Sequence, residues 1–294
     1  MHGLLIRDRK ELSEQEKAEE QAAASAASGL LREVILLKKS RMCTSESFTK
    51  CMDLLKLNPE LSLAWNFRRE IIQSKQSLVE RIEAIRNEIG VLNSVMVDLQ
   101  MTKSYCLWNH RRWLLLQLRA SDELSESVLK GEIELVKTIL KLDGRNFHSW
   151  SYRQWLRQNF DIKLDDDIEY SKKLIEKDFS NYSAWFLRSW AAEKTGAPIE
   201  PEAELELVWN ALFTEPNDQS CWQYHDWLLR RFPQLRDQDA DYMVELEAIV
   251  DDQDSKYLFL SKVYSDTLGL EEKQEIVSKL VNIDPMRKGF YLEL

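Results

Sequence analysis

"RNFHSWSYRQWL", residues 145–156, sets two tryptophans five apart with an arginine between them, behind an Asn-aromatic-His lead-in. Tryptophan is scarce in most proteins, yet this chain carries 10 in 294 residues, and their positions form a ruler. Trp65, Trp108, Trp150, Trp185 and Trp222 open the phrases "WNFRRE", "WNHRRW", "WSYRQW", "WFLRSW" and "WQYHDW", at steps of 43, 42, 35 and 37 residues. The fourth place of the phrase holds Arg68, Arg111, Arg153 and Arg188, then His225. The sixth holds Glu70, then Trp113, Trp155, Trp190 and Trp227, so only Trp209 stands outside the pattern. Self-similarity at such a period marks a solenoid of helical pairs.

The phrase has its own approach. Seven residues before the Trp stand Asn58, Asp143, Asp178 and Glu215, with Met101 as the exception, and Pro follows at 59 and 216. Amphipathic runs such as "SFTKCMDLLKL" (47–57) and "LKGEIELVKTILKL" (129–142) come before these residues. The pattern predicts helix A, a short turn, then helix B beginning just before the Trp. Two weaker copies follow, with Tyr257 and Tyr291 where Trp is expected and Asp284-Pro285 as the last turn. The expected fold is all-α, a right-handed superhelical solenoid of about seven antiparallel pairs over residues 46–294, the last pair truncated. Residues 1–45 form a tail and an Ala-rich lead helix, frayed at its start.

At about 100° per residue, Arg at the fourth place returns to within about 60° of the Trp, and the second Trp lies about 140° away. Helix B is therefore expected to bury two faces, one on its own helix A and one on the neighbouring pair. The Arg stem lies along the ring, and its head meets turn carbonyls or an acid of the lead-in. Trp65, Arg68, Trp108, Arg111, Trp150, Arg153, Trp185, Arg188 and Trp222 are accordingly scaffold. Five catalytic sites in one chain would be odd, whereas five packing units are expected.

Composition narrows the function. Gly (8) and Pro (6) are few, as a helical protein requires. The net charge of -10 argues against a nucleic-acid or anionic-membrane surface. Cys43, Cys51, Cys106 and Cys221 form no CxxC and are expected as reduced thiols. His2, His110, His148 and His225 are scattered, so no metal site is expected from this chain alone. No signal peptide, membrane span or lipidation signal is visible, which predicts a cytoplasmic protein. Residues 237–254 carry eight acids and no base and are expected to be a solvated face.

The phrases resemble the repeat of protein prenyltransferase α subunits, which has the same Asn/Asp-Pro turn, Asn-Tyr-like lead-in and Trp-x-x-Arg core. "RNFHSW" (145–150), "SNYSAW" (180–185) and "FTEPNDQSCW" (213–222), with "MHG" at the start and "DPMR" at 284–287, are similar to the Rab (type II) branch. The branch shared by farnesyltransferase and geranylgeranyltransferase type I carries Lys in place of Arg145 and Tyr in place of Phe147. That branch and a non-enzymatic tetratricopeptide-like scaffold are the alternative readings; the latter lacks the Trp-x-x-Arg-x-Trp phrase.

The resemblance implies a crescent of helical hairpins around a β subunit, in an obligate contact above about 2,000 Å². It implies transfer of geranylgeranyl from its diphosphate to C-terminal cysteines of Rab GTPases presented by a Rab escort protein. The zinc and the isoprenoid belong to β, and this chain binds no cofactor by itself. Arg145, Phe147, His148 and Tyr182 become candidates for the active-site rim, with Arg145 offsetting diphosphate charge. Asn146, Asn181, Asn217 and Asp218 become candidates for the β interface. His2 becomes a candidate regulatory ligand to the β-subunit zinc when no substrate cysteine is present.

Overall fold

The structure, a computed structural model, describes residues 13–160, 167–194, 196, 198–250, 256–264 and 268–294. The chain divides into two compact units, Met1–Ile162 and Lys163–Leu294. Among the described residues all regular structure is helical and there is no strand. The first unit holds α1 (Glu14–Lys39), α2 (Ser45–Leu57), α3 (Ser62–Gln73), α4 (Leu78–Val95), α5 (Tyr105–Ala120), α6 (Glu126–Leu142) and α7 (Phe147–Asn159). The second holds α8 (Asp167–Lys177), α9 (Tyr182–Lys194), α10 (Pro201–Thr214), α11 (Gln219–Arg231), α12 (Arg236–Ile249), α13 (Lys256–Tyr264), α14 (Leu270–Ile283) and the single turn α15 (Lys288–Tyr291).

Local sequence sets the helix starts. Thr44, Ser104, Ser125 and Asn146 cap α2, α5, α6 and α7 by accepting a backbone N–H from the first turn. Ser77 and Glu80 form a capping box on α4. Pro201 opens α10, where its missing N–H costs nothing. The even-numbered helices are the A helices, and α3, α5, α7, α9, α11 and α13 are the B helices. In the first unit α3, α5 and α7 pack in succession, each backed by its A helix; in the second, α9, α11 and α13 do the same, with α8 behind α9 and α10 behind α11.

Each tryptophan that opens a phrase anchors its own turn. The indole N–H of Trp65, Trp108, Trp150, Trp185 and Trp222 donates to the carbonyl six residues earlier: Pro59, Thr102, Gly144, Phe179 and Pro216, at 2.7–2.9 Å. Four of these carbonyls sit two residues past the end of helix A, and that of Thr102 sits in the 3-10 turn Met101–Lys103 that follows α4. The constant interval from lead-in to Trp is thus fixed by one hydrogen bond. In the last copy the Tyr291 hydroxyl donates instead to the Asp284 carboxylate, 3.0 Å away and seven residues back, and the ring packs with Phe259, Val263 and Leu280.

The phrase arginines are buried, as expected, but their acids come from elsewhere. Arg68 pairs with Glu88 of α4, Arg111 with Glu132 of α6, and Arg188 with Glu204 of α10. In each case the acid lies on the A helix of the following pair rather than in the lead-in. The same carboxylate is then gripped by the third place of the next phrase: His110 on Glu88 at 2.9 Å, Tyr152 on Glu132 at 2.7 Å and Tyr224 on Glu204 at 2.7 Å. Where the phrase carries His225, the shorter base meets a shorter acid, Asp239, at 2.7 Å. The Trp209 indole donates to that same Asp239 oxygen at 2.9 Å, which gives the one tryptophan outside the phrase its role. The expectation that 237–254 is a solvated face therefore fails at Asp239, which is buried.

The second tryptophans correct another expectation. Trp113, Trp155, Trp190 and Trp227 are only half-buried, so helix B has one dry face and one partly wet one. In the first unit Arg69 lies over Trp113 at 5.4 Å and Arg112 over Trp155 at 5.5 Å. Each cation covers the π face of the next B helix's indole and leaves its rim in solvent.

Candidate functional site

Several B helices carry exposed aromatic rings in their first turns. Tyr105 and Phe147 each lie three residues before the phrase Trp and are 67% and 65% exposed. His148 sits between them, edge-on to Tyr105 at 4.3 Å and to Phe147 at 5.5 Å between ring centroids. Burial pushes the His148 imidazole down and Arg112 adds to this, against an opposing pull from Glu60. The ring is therefore neutral at neutral pH and offers no charge to an anion. Arg145 is exposed on the turn just ahead of α7.

These helix starts are stapled to the turn before them. The Ser104 hydroxyl donates to the Pro59 carbonyl at 2.8 Å, and the Tyr105 N–H donates to the Glu60 carboxylate at 2.8 Å. Asn146 donates to the Thr102 hydroxyl at 3.0 Å while its carbonyl oxygen accepts from the Ser149 N–H at 2.9 Å. The exposed rings are thus carried on a rigid base.

In the second unit Tyr182 is 55% exposed and stacks on Phe186, which is 54% exposed, with centroids 6.4 Å apart. Asn181 is buried and its carbonyl oxygen accepts from the Ala184 N–H at 3.2 Å. Asp218 caps α11, accepting from the Ser220 N–H at 2.8 Å, and Asn217 is exposed beside it.

Of the expected interface residues, Asn146 and Asn181 are corrected: both are buried inside the chain, because the donors at a helix start must be satisfied before anything else. Arg145, Phe147 and Tyr182 stand outside. His2 lies outside the described residues. Sequence reasoning missed Tyr105 and Phe186. Tyr105 was legible as an aromatic three before the Trp, a place shared with Phe147 and Tyr182. Phe186 was legible as the one large apolar residue at the second place of the phrase, where the other copies carry Asn66, Asn109, Ser151 and Gln223.

The chemistry of these surfaces is that of contact. Among the described residues no group of three His, Cys, Asp or Glu is placed to hold a metal ion. Burial pushes the Cys51 thiol up to about 11 and the Cys221 thiol higher still, which leaves both as inert thiols. No helix among the described residues is long and apolar enough to cross a membrane.

Residues 100–118, 129–160, 164–195 and 201–232 match the protein prenyltransferase alpha subunit repeat. A chain of Candida albicans protein geranylgeranyltransferase-I complexed with GGPP shares the fold, with a TM-score of 0.67 at 20% identity over 91% of this chain and 88% of that chain. The Trp–Arg hairpins thus define a repeat protein of the prenyltransferase α class. The geranylgeranyl transferase type-2 subunit alpha of Dictyostelium discoideum is 33% identical over 317 residues, covering 100% of this chain and 99% of the relative. That of Saccharomyces cerevisiae is 28% identical over 332 residues, covering 100% and 98%. That of Homo sapiens is 30% identical over 301 residues, covering 97% of this chain but 50% of the relative, so the chain spans about half of the human protein's length. The chain belongs to the geranylgeranyl transferase type-2 α-subunit family. It is the α part of a prenyl-transferring enzyme, and its partner is a β subunit.

Proposed function

We propose that this chain scaffolds the β subunit of a heterodimeric Rab geranylgeranyltransferase in the cytoplasm, and that the exposed starts of its B helices make the contact. The observation that carries the reading is the rings left outside in the first turns of B helices: Tyr105 and Phe147 in one unit, and Tyr182 with Phe186 in the other. Large aromatics on rigid helix ends, in a chain that buries the arginines of its repeats, are the composition of an interface core.

Division of labour follows from the chemistry. A cysteine must react as thiolate, which a zinc ion supplies, and the isoprenoid needs an apolar pocket. Both belong to β in this reading, and the α chain contributes shape. Arg145, exposed at the turn before α7, supplies a cation toward the leaving diphosphate. The protein substrates are Rab GTPases carried by an escort protein.

The test is reconstitution. The chain is co-expressed with a type-2 β subunit and supplied with geranylgeranyl diphosphate, a Rab and its escort, beside a farnesyl-type β with a CaaX peptide. Activity confined to the first mixture supports the proposal; activity confined to the second overturns it. In the active complex, Arg145→Ala is expected to lower kcat with the complex intact. Unchanged turnover and diphosphate affinity would remove Arg145 from the chemistry.

A further inference from the structure

The fifth place of the phrase holds Arg69 and Arg112 in the first two copies, then Gln154, Ser189 and Asp226. Each of these two arginines follows a fourth-place arginine with a different fate. Arg68 and Arg111 turn inward and are matched by Glu88 and Glu132. Arg69 and Arg112 are half-buried and have no carboxylate partner among the described residues. The Arg69 Nε donates to Nδ1 of His110 at 3.3 Å, and the Arg112 Nη2 donates to the Ser151 hydroxyl at 3.2 Å. Each guanidinium lies against the indole of the next B helix, at 5.4 Å from Trp113 and 5.5 Å from Trp155. Burial pushes both arginines below their ordinary value, with no carboxylate opposing it. A cation that loses water without gaining an acid is destabilising, and the usual compensation is a paired carboxylate.

The surface around them is open and poor in free acid. Ser62, Asn66, Arg69 and Gln73 follow one face of α3 at helical spacing and line a groove of about 510 Å³. The one carboxylate in that groove, Glu70, is paired with Lys38. Tyr105, Asn109, Arg112 and Leu116 follow α5 at the same spacing, and α5 contains no acid. α3 packs beside α5, so the two faces adjoin. Tyr105 is one of the rings assigned to the β contact, and the face it opens runs two turns along α5 to Arg112. In a chain of net charge -10, this strip presents cations alone to a partner.

We infer that the outer faces of α3 and α5 form an acid-reading strip for the β subunit, in which Arg69 and Arg112, each backed by an indole, take one carboxylate apiece from it. The inference rests on the proposed function and deepens it, because it states what the partner must present. Neighbouring helices lie on the order of 8–10 Å apart, which sets the spacing of the two acids. The indoles hold each guanidinium flat, so that its remaining terminal N–H groups meet a carboxylate side by side. The contact then has two parts: exposed rings at the helix starts supply burial, and the arginine strip supplies charge recognition and orientation.

The test measures association of the full chain with a type-2 β subunit by biolayer interferometry, from about 50 to about 500 mM NaCl. Wild type is compared with Arg69→Gln plus Arg112→Gln, and with Phe147→Ser. A control, Arg32→Gln plus Arg81→Gln, removes the same charge at exposed places on α1 and α4. The variant at 69 and 112 is expected to raise Kd at least about tenfold at the low end of salt and to flatten the salt dependence. The chain's own Tm should hold or rise in that variant, since an uncompensated charge has been removed. Phe147→Ser should weaken association and keep the wild-type salt slope, and the control should associate like the wild type. The inference is overturned if the variant at 69 and 112 associates like the wild type at every salt concentration, or if the control weakens association as much. In either case the proposed function stands where Phe147→Ser still weakens assembly; if no variant weakens it, that reading falls as well. Should the glutamine variant fail to fold, Arg69→Lys plus Arg112→Lys keeps the charge and loses the planar fork. It should still raise Kd at least about threefold, and wild-type association by it overturns the inference.

Discussion

The Arg111 guanidinium and the Glu132 carboxylate meet in parallel, Nε to Oε2 at 2.6 Å and Nη2 to Oε1 at 2.7 Å, both groups buried. They join the B helix of one pair to the A helix of the next. Burial alone would push the arginine down, yet Glu132 holds it above its ordinary value. Arg111→Met alone strands a buried carboxylate and is expected to cost about 3–5 kcal/mol. Arg111→Met with Glu132→Leu should recover much of that loss, because neither charge then stays behind. Urea denaturation of the two variants decides; a double variant as unstable as the single one refutes the account.

The turn anchors predict a uniform cost. Trp108→Phe and Trp185→Phe each remove one indole N–H, which leaves the Thr102 carbonyl without that donor and the Phe179 carbonyl with only the weak Cys221 thiol donor at 3.4 Å. Each is expected to lose about 1–3 kcal/mol. Proteolysis within the A–B turn should accelerate alongside the shift in midpoint. Loss of midpoint without faster turn cleavage would assign the cost to ring packing instead.

Acid sensitivity should concentrate at the first carboxylate rung. Burial pushes His110 below its ordinary pKa despite Glu88 beside it. Burial pushes Glu88 up, but the bonds from His110 and Arg68 outweigh this and hold it below its ordinary value. Both groups therefore bind protons more readily in the unfolded chain, so stability rises with pH across their windows. The His110 contribution is present above about pH 6.5 and is lost as pH falls through the depressed folded value; the Glu88 contribution is lost at lower pH in the same way. His110→Tyr copies the rungs at Tyr152 and Tyr224 and should flatten the decline between about pH 6.5 and 5. Denaturation midpoints across that range check this, and an unchanged slope would exclude His110 as the source.

Much of this architecture was legible because tryptophan is rare. The ruler from Trp65 to Trp222 gave the helix pairs, the turns and the burial of Arg68, Arg111 and Arg188. The partners of those arginines were not legible. Glu88, Glu132 and Glu204 sit at offsets of 20, 21 and 16 residues, set by turn length rather than by helix period. An acid inside an amphipathic helix looks solvated until the neighbouring helix is in place. Asn146 and Asn181 misled for the opposite reason: a turn asparagine signals a cap and a surface equally well, and here capping wins.

Rung length offers a sharper test of the same ladder. Glutamate rungs face His110, Tyr152 or Tyr224, while the Asp239 rung has Phe259 at the corresponding place. Asp239→Glu should crowd His225 and Trp209, at a cost of about 1–3 kcal/mol. Adding Phe259→Tyr should not relieve it, whereas shortening Glu204→Asp should leave the Tyr224 hydroxyl unmet. Double-mutant cycles between the acids and their tyrosine or histidine partners measure the coupling.

The exposed rings predict a separation of stability from assembly. Phe147→Ser and Tyr182→Ser should move the chain's own midpoint by no more than about 0.5 kcal/mol, as exposed positions do. The same variants should weaken association with the β subunit at least tenfold, about 1.4 kcal/mol or more. Sedimentation of the mixed subunits reads the second effect; wild-type association in both variants would move the contact elsewhere.

The rungs also say where such a chain can be cut and joined. Arg111 and Glu132 lie on helix B of one pair and helix A of the next, so the segment that carries a matched acid and base is B with the following A. A crossover at the A–B turn copies or deletes that segment whole. A crossover between pairs severs it, handing each product half of a salt bridge. The hairpin seen by eye is therefore not the module that recombination can exchange, and designed chimaeras in this architecture should be spliced through the turns before the tryptophans.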